Sequence, residues 1–159
     1  MPKRGFTLIE IILVLALMGI IISLTSFISM NSYYGSSFRT ERDALVAALR
    51  RARSFSINNI CLGNCDGGKP HGVHITSTSY TIFQGSTYDT RDSGTDEIIN
   101  IGPNLKITPG GFTEVVFSNL SGDATTLPSD THELTLIDMT TGKNSIITIN
   151  NFGQISWTN

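Results

Sequence analysis

Lys3-Arg4-Gly5-Phe6-Thr7-Leu8-Ile9-Glu10 leads into the run Phe6 to Ile28, which carries one charge, Glu10. As a helix, Phe6 to Ile28 would be about 34 Å long, enough for the ~30 Å hydrocarbon core of a bilayer. A cleaved secretory signal needs a shorter apolar region of about 7–15 residues and a small-residue cut site. Ser23, Thr25 and Ser26 match such a site poorly. A plain membrane anchor leaves Glu10 unexplained, because a carboxylate in a spanning helix costs about 2.5–3.5 kcal/mol at the bilayer centre. A negative group near a helix start recovers only about 0.3–1 kcal/mol. Such a residue marks a functional position that needs a partner.

Beyond this run, Ser29 to Ser37 is rich in Ser, Asn, Tyr and Gly, and Gly35 and the Ser cluster lower helix propensity there, so a local bend or fraying is expected. Tyr33 and Tyr34 fall where an interfacial aromatic belt belongs. Helical periodicity returns from Arg39 to Ile57, with Leu45, Ala48, Leu49, Ala52 and Ser56 on one stripe. Asn58-Asn59 supplies the stop, since Asn tolerates the left-handed conformation that closes helices. The helix is therefore read as Phe6 to about Asn58, with a spanning part at 6–28 and an amphipathic continuation at 29–58.

Charge is unevenly spread. Arg39, Arg42, Arg50, Arg51 and Arg53 stand against Glu41 and Asp43, a net +3 for that segment. From Ser54 onward, four basic side chains face ten acidic ones, a net −6, although the whole chain is only −2. A head of that sign is not built to grip phosphates. The five arginines are read first as a solvated helix face partly paired with the acidic head. A nucleic-acid or partner patch is the sharper alternative.

The leader Lys3-Arg4-Gly5-Phe6-Thr7-Leu8-Ile9-Glu10 resembles the class III prepilin motif of type IV pilins and type II secretion pseudopilins. It has the basic residues, the Gly, the Phe and the Glu in contiguous order. The resemblance implies a leader of residues 1–5, cleavage between Gly5 and Phe6 by prepilin peptidase, and N-methylation of Phe6. It further implies that Glu10 pairs with the Phe6 amine of a neighbouring subunit. Physics is consistent with such a pair, since losing one partner of a buried ion pair costs about 3–5 kcal/mol. The partners so implied are the peptidase and methyltransferase, other major and minor (pseudo)pilins, and the inner membrane. The head would lie in the periplasm and later on the (pseudo)pilus.

Ala47-Ala48-Leu49-Arg50-Arg51-Ala52-Arg53-Ser54 and the closing Gly153-Gln154-Ile155-Ser156-Trp157 extend the similarity to minor pseudopilin H of type II secretion and to FimT-type minor pilins. FimT-type proteins of DNA uptake carry basic residues after that Gly. Here the chain ends Trp157-Thr158-Asn159, so DNA is not an expected partner.

Cys61 and Cys65, the two cysteines, enclose a turn-rich Leu-Gly-Asn. A Cys61–Cys65 disulfide outside the cytoplasm is the first reading. Zinc is an alternative because His71 and His74 follow closely, although the spacing fits no standard finger; free thiols are a third. Gly63 to Lys69 approaches a phosphate-binding loop, but Pro70 stands where Ser or Thr must meet magnesium.

After Pro70 the period falls to two. Gly72–Thr76 and Ser79–Gln84 are expected as a hairpin about Ser77-Thr78, with His74 on its solvent side. Further strands are expected near 97–101, 105–108, 113–118, 133–138, 145–150 and 154–158. Leu134, Leu136, Ile147, Ile149, Ile155 and Trp157 are inward candidates. The loop at 86–95 is acidic without calcium-binding spacing. The fold class is thus α+β: one long helix on an antiparallel sheet head at 59–159, one sheet wrapped on the Leu45/Leu49 stripe. No catalytic constellation, cofactor fingerprint or metal motif appears, so neither an enzyme nor a cofactor is expected.

Overall fold

The computed structural model describes residues 7–63, 67–125 and 131–159, with the side chains of 24–35 and Thr131 outside that description. Helix α1 runs Leu8–Ile57 as one element, so the Ser- and Gly-rich stretch does not interrupt it. The chain divides into two compact units, Met1–Ser37 and Phe38–Asn159. The division falls at the end of that stretch and places Phe38–Ile57 with the β-rich remainder.

The helix closes as the two asparagines lead one to expect. Asn59 has φ +53°, the Ile60 N–H donates to the Phe55 carbonyl and the Asn59 N–H to the Ser56 carbonyl. That pair of bonds is the Schellman arrangement, with Asn in the left-handed position where Gly is commoner.

Eight strands follow: β1 His71–Ile75, β2 Ser79–Gln84, β3 Glu97–Asn100, β4 Leu105–Pro109, β5 Glu114–Phe117, β6 Thr131–Asp138, β7 Asn144–Asn150 and β8 Ile155–Thr158. A short 3-10 turn, Ser93–Thr95, precedes β3. The strands form two antiparallel four-stranded sheets, β3-β2-β1-β5 and β4-β6-β7-β8, where the sequence led us to expect one. Alternation gives each strand its faces but not its neighbours. After β3 the Ile101 N–H still bonds the Thr78 carbonyl, but Pro103 has no N–H to continue a ladder, and the chain crosses into the second sheet at β4. It crosses back at β5, which pairs with β1, and over again at β6.

One core joins helix and sheets. Leu45, Leu49 and Ala52 of α1, Val73, Ile75, Val115 and Phe117 of the first sheet, and Ile107, Leu134, Leu136, Ile147 and Ile149 of the second are essentially fully buried. The expected inward alternation holds at 134, 136, 147 and 149, and Ile155 packs partly buried against the same cluster. Trp157 departs from it: it is 39% exposed, because β8 is the edge strand and arginines from α1 cover its ring instead. Gly72 is required by packing, since a Cβ there would stand 2.6 Å from the Phe83 ring and 2.7 Å from the Val115 carbonyl.

Candidate assembly segment and arginine face

In the first unit α1 begins just after Thr7, whose carbonyl accepts from the N–H groups of Glu10 (3.1 Å) and Ile11 (3.4 Å). Glu10 lies in the first turn and is exposed. Ile11, Val14 and Leu15 line the same groove on the helix surface as Glu10. The large apolar side chains from Leu8 to Ile22 are all exposed, from 47% at Val14 to 76% at Leu8. A helix that is apolar all round belongs in an apolar environment or a helix bundle. Gly5 and Phe6, the expected cleavage and methylation positions, lie outside the described residues. So do the side chains of 24–28, the far end of the expected 6–28 span. Among the described residues no helix is long and apolar enough to cross a membrane.

In the second unit the arginines take different environments. Arg42 is buried, 8% exposed; its Nε and Nη2 donate to Asp43 Oδ1 at 3.0 and 2.9 Å, and its Nη1 donates to Asn159 Oδ1 at 2.6 Å. Its guanidinium also lies 5.5 Å from the Trp157 ring centroid, and that of Arg50 lies 5.3 Å from it. Arg51 pairs with Glu97 at 2.8 Å on the surface and covers the Phe55 ring at 5.2 Å. Arg53 donates from Nε to the Gly122 carbonyl at 3.1 Å and from Nη2 to the Phe152 carbonyl at 2.9 Å. Arg39 is exposed.

The face is thus partly a set of struts between α1 and the turns and edge strand around it. The Arg51–Glu97 pair is of the kind the charge pattern led us to expect, whereas the acceptors Gly122 O, Phe152 O and Asn159 were not legible in the sequence. The one available signal was the closing Gly153-to-Trp157 segment. Gly153, at φ +68°, is the position where a Cβ would collide with the Gly122 carbonyl and with Arg53.

The histidines do not converge as a metal site. His71 and His74 are three apart on β1, so their side chains leave opposite faces of the sheet. His71 is fully buried with its ring edge-on to Phe55 at 5.3 Å, and neither ring nitrogen has a hydrogen-bond partner. Burial pushes its pKa down, opposed in part by the Lys69 backbone. His74, expected on the solvent side, is half-buried and stacked on Tyr88 at 3.8 Å. Among the described residues no group of three His, Cys, Asp or Glu could hold a metal ion. Cys65 lies outside those residues, and with it the Cys61–Cys65 pairing. In the 86–96 loop, Asp92 accepts from the Gly94 N–H and Asp96 from Arg91. Tyr80 is buried beside Glu41 and Glu97; burial first, then those carboxylates, push its phenol up to about 12.

Residues 1–26 match the family described as the prokaryotic N-terminal methylation motif, the type IV prepilin-like signature. The chain is pilin-like at its N-terminus. The motif implies processing by prepilin peptidase and assembly with other pilins. Comparison with curated proteins and with solved structures returned no match.

Proposed function

We propose that the chain is a minor (pseudo)pilin, a structural subunit of a type II secretion pseudopilus or a type IV pilus. In this reading residues 6–28 anchor it in the inner membrane with the head in the periplasm. Prepilin peptidase cuts after Gly5, and Phe6 becomes the methylated, positively charged terminus. Glu10 then meets the Phe6 amine of an adjacent subunit and fixes the register between helices. The head has no catalytic role.

The observation that carries the reading is the match at residues 1–26 together with an exposed carboxylate on a helix exposed and apolar on every side. Such a surface needs other helices or lipid, and within it a carboxylate needs a counter-charge. The engagement of Arg42, Arg51 and Arg53 inside the head supports a structural role over the alternative of a DNA-binding minor pilin.

Replacing Glu10 by Val tests the assembly step. Membrane insertion, read by fractionation, is expected to persist while cross-linking to other subunits is lost. Normal cross-linking of the Glu10→Val protein would overturn the reading.

A further inference from the structure

The 86–96 loop is fastened over the outer face of the first sheet by stacked rings. The Tyr88 ring lies parallel to the His74 imidazole, centroids 3.8 Å apart and planes 9° apart. The Arg91 guanidinium sits 3.6 Å from the Tyr88 centroid. Two groups so close to one centroid must occupy opposite faces of the ring. Beneath them the Phe83 ring meets Tyr88 edge-on at 5.5 Å.

Polar bonds hold the frame. The Tyr88 N–H donates to Glu114 Oε2 at 2.8 Å, Arg91 Nε to Asp96 Oδ2 at 2.7 Å, Arg91 Nη1 to the Tyr88 carbonyl at 2.7 Å, and the Asp92 N–H to the Gln84 carbonyl at 3.1 Å. Two atoms are left out: among the described residues, His74 Nδ1 and Asp96 Oδ1 are buried without a hydrogen-bond partner.

We propose that the His74–Tyr88–Arg91 stack is an acid-released latch, holding the 86–96 loop on the sheet while His74 is neutral and freeing it when His74 takes up a proton. The groups that face His74 are Tyr88, Asp89 and Arg91 from the loop and Glu114 from β5; its β2 neighbour, Thr81, carries no charge. A proton on His74 sets a second cation across one ring from Arg91, about 7 Å away. In the charged ring both nitrogens carry a proton, so Nδ1 is a buried donor with no acceptor. Glu114 and Asp89 draw the other way, but burial is the largest influence and, with Arg91, holds the His74 pKa below its ordinary 6.5. Opening the loop restores water to the imidazole and separates it from Arg91. Release uncovers Phe83, which is buried and in contact with the Tyr88 ring of the closed loop. The latch belongs to the head alone and does not rest on the assembly reading.

Amide hydrogen exchange of the full chain in detergent, read by NMR and corrected for intrinsic rates, tests it. Tyr88 and Asp92 report the loop; Ile147 and Ile149 report global opening. As pH falls from the open-loop pKa, near the ordinary 6.5, towards the lower latched one, the loop opening constant is expected to rise by up to about tenfold per pH unit and then level off. The midpoint of that levelling should coincide with the titration of the His74 ring, and Tyr88 and Asp92 should exchange faster than Ile147 and Ile149 throughout, because the loop opens without the sheets. His74→Phe, which keeps a ring for Tyr88 but cannot titrate, is expected to leave the loop protected and pH-insensitive. Loop protection that stays constant while His74 titrates would overturn the latch, as would loop amides that exchange only as fast as Ile147 and Ile149. Should His74→Phe fail to fold, the wild-type midpoints decide alone, and their divergence sinks the proposal.

Discussion

Removing Arg53 is the sharpest probe of whether the second half of α1 is a strut or a charged face. Its fork spans two turns that are far apart in sequence, reaching Gly122 O at 3.1 Å and Phe152 O at 2.9 Å. A hydrogen bond to a charged donor contributes about 1.5–3 kcal/mol when sheltered. The Gly122 bond is part-buried and takes the lower half of that range, while the Phe152 bond is exposed and contributes less. Arg53→Ala is therefore expected to cost about 2–3 kcal/mol.

For a head of about 120 residues, that is a fall in Tm of roughly 6–15 °C. Thermal unfolding of the full chain in mild detergent, followed by near-ultraviolet circular dichroism, measures it. Arg53→Lys should recover less than half, because one ammonium cannot reach both carbonyls in the planar geometry of a guanidinium. Arg39→Ala, at an exposed site, is the control and should stay within about 0.5 kcal/mol of wild type. If Arg53→Ala and Arg39→Ala unfold alike, the strut reading is wrong, and the arginines become an ordinary solvated face again.

Three further outcomes follow from buried groups and the cysteines. The folded pKa of His71 is depressed below 6.5 by burial, so its contribution to stability is complete above the unfolded pKa and is lost as pH falls through the folded one; urea unfolding at about pH 7.5 and about pH 5 should show that loss in wild type and a smaller one in His71→Leu. Tyr80 runs oppositely, its stabilisation intact below the ordinary 10.0 and lost as pH rises through about 12; phenolate absorbance should show one of the four tyrosines titrating late, and that delay should vanish in Tyr80→Phe. Cys61 and Cys65 are expected to be joined, so intact mass should rise by two hydrogens on reduction, while the small loop limits the stability lost in Cys61→Ser to below about 3 kcal/mol.

Local physics was legible in the sequence and long-range pairing was not. The asparagine stop at Asn59, the hairpin about Ser77-Thr78 and the strand set all followed from period, turn residues and left-handed tolerance. What alternation could not supply was the crossing at Pro103 that deals the strands into two sheets, because a period of two says nothing about the partner. The same gap hid the arginine acceptors. Arg42 reaches Asn159 and Arg53 reaches Phe152 across nearly the whole head, and carbonyl acceptors leave no trace in residue identity.

The two halves of α1 solve different problems with one backbone. Among the described residues up to Ser23 the large apolar side chains are exposed, and Glu10 shares its groove with Ile11, Val14 and Leu15. From Phe38 onward the reverse holds: the apolar stripe is buried, and Arg42, Arg51 and Arg53 find acceptors within the head. A structural subunit of a filament requires that split. Its head must be satisfied by itself so that it folds before assembly, while its leading segment must be left unsatisfied so that other subunits can complete it. On the proposed reading Glu10 is the residue on which register should depend, and the head is the part that should tolerate removal from the filament without unfolding.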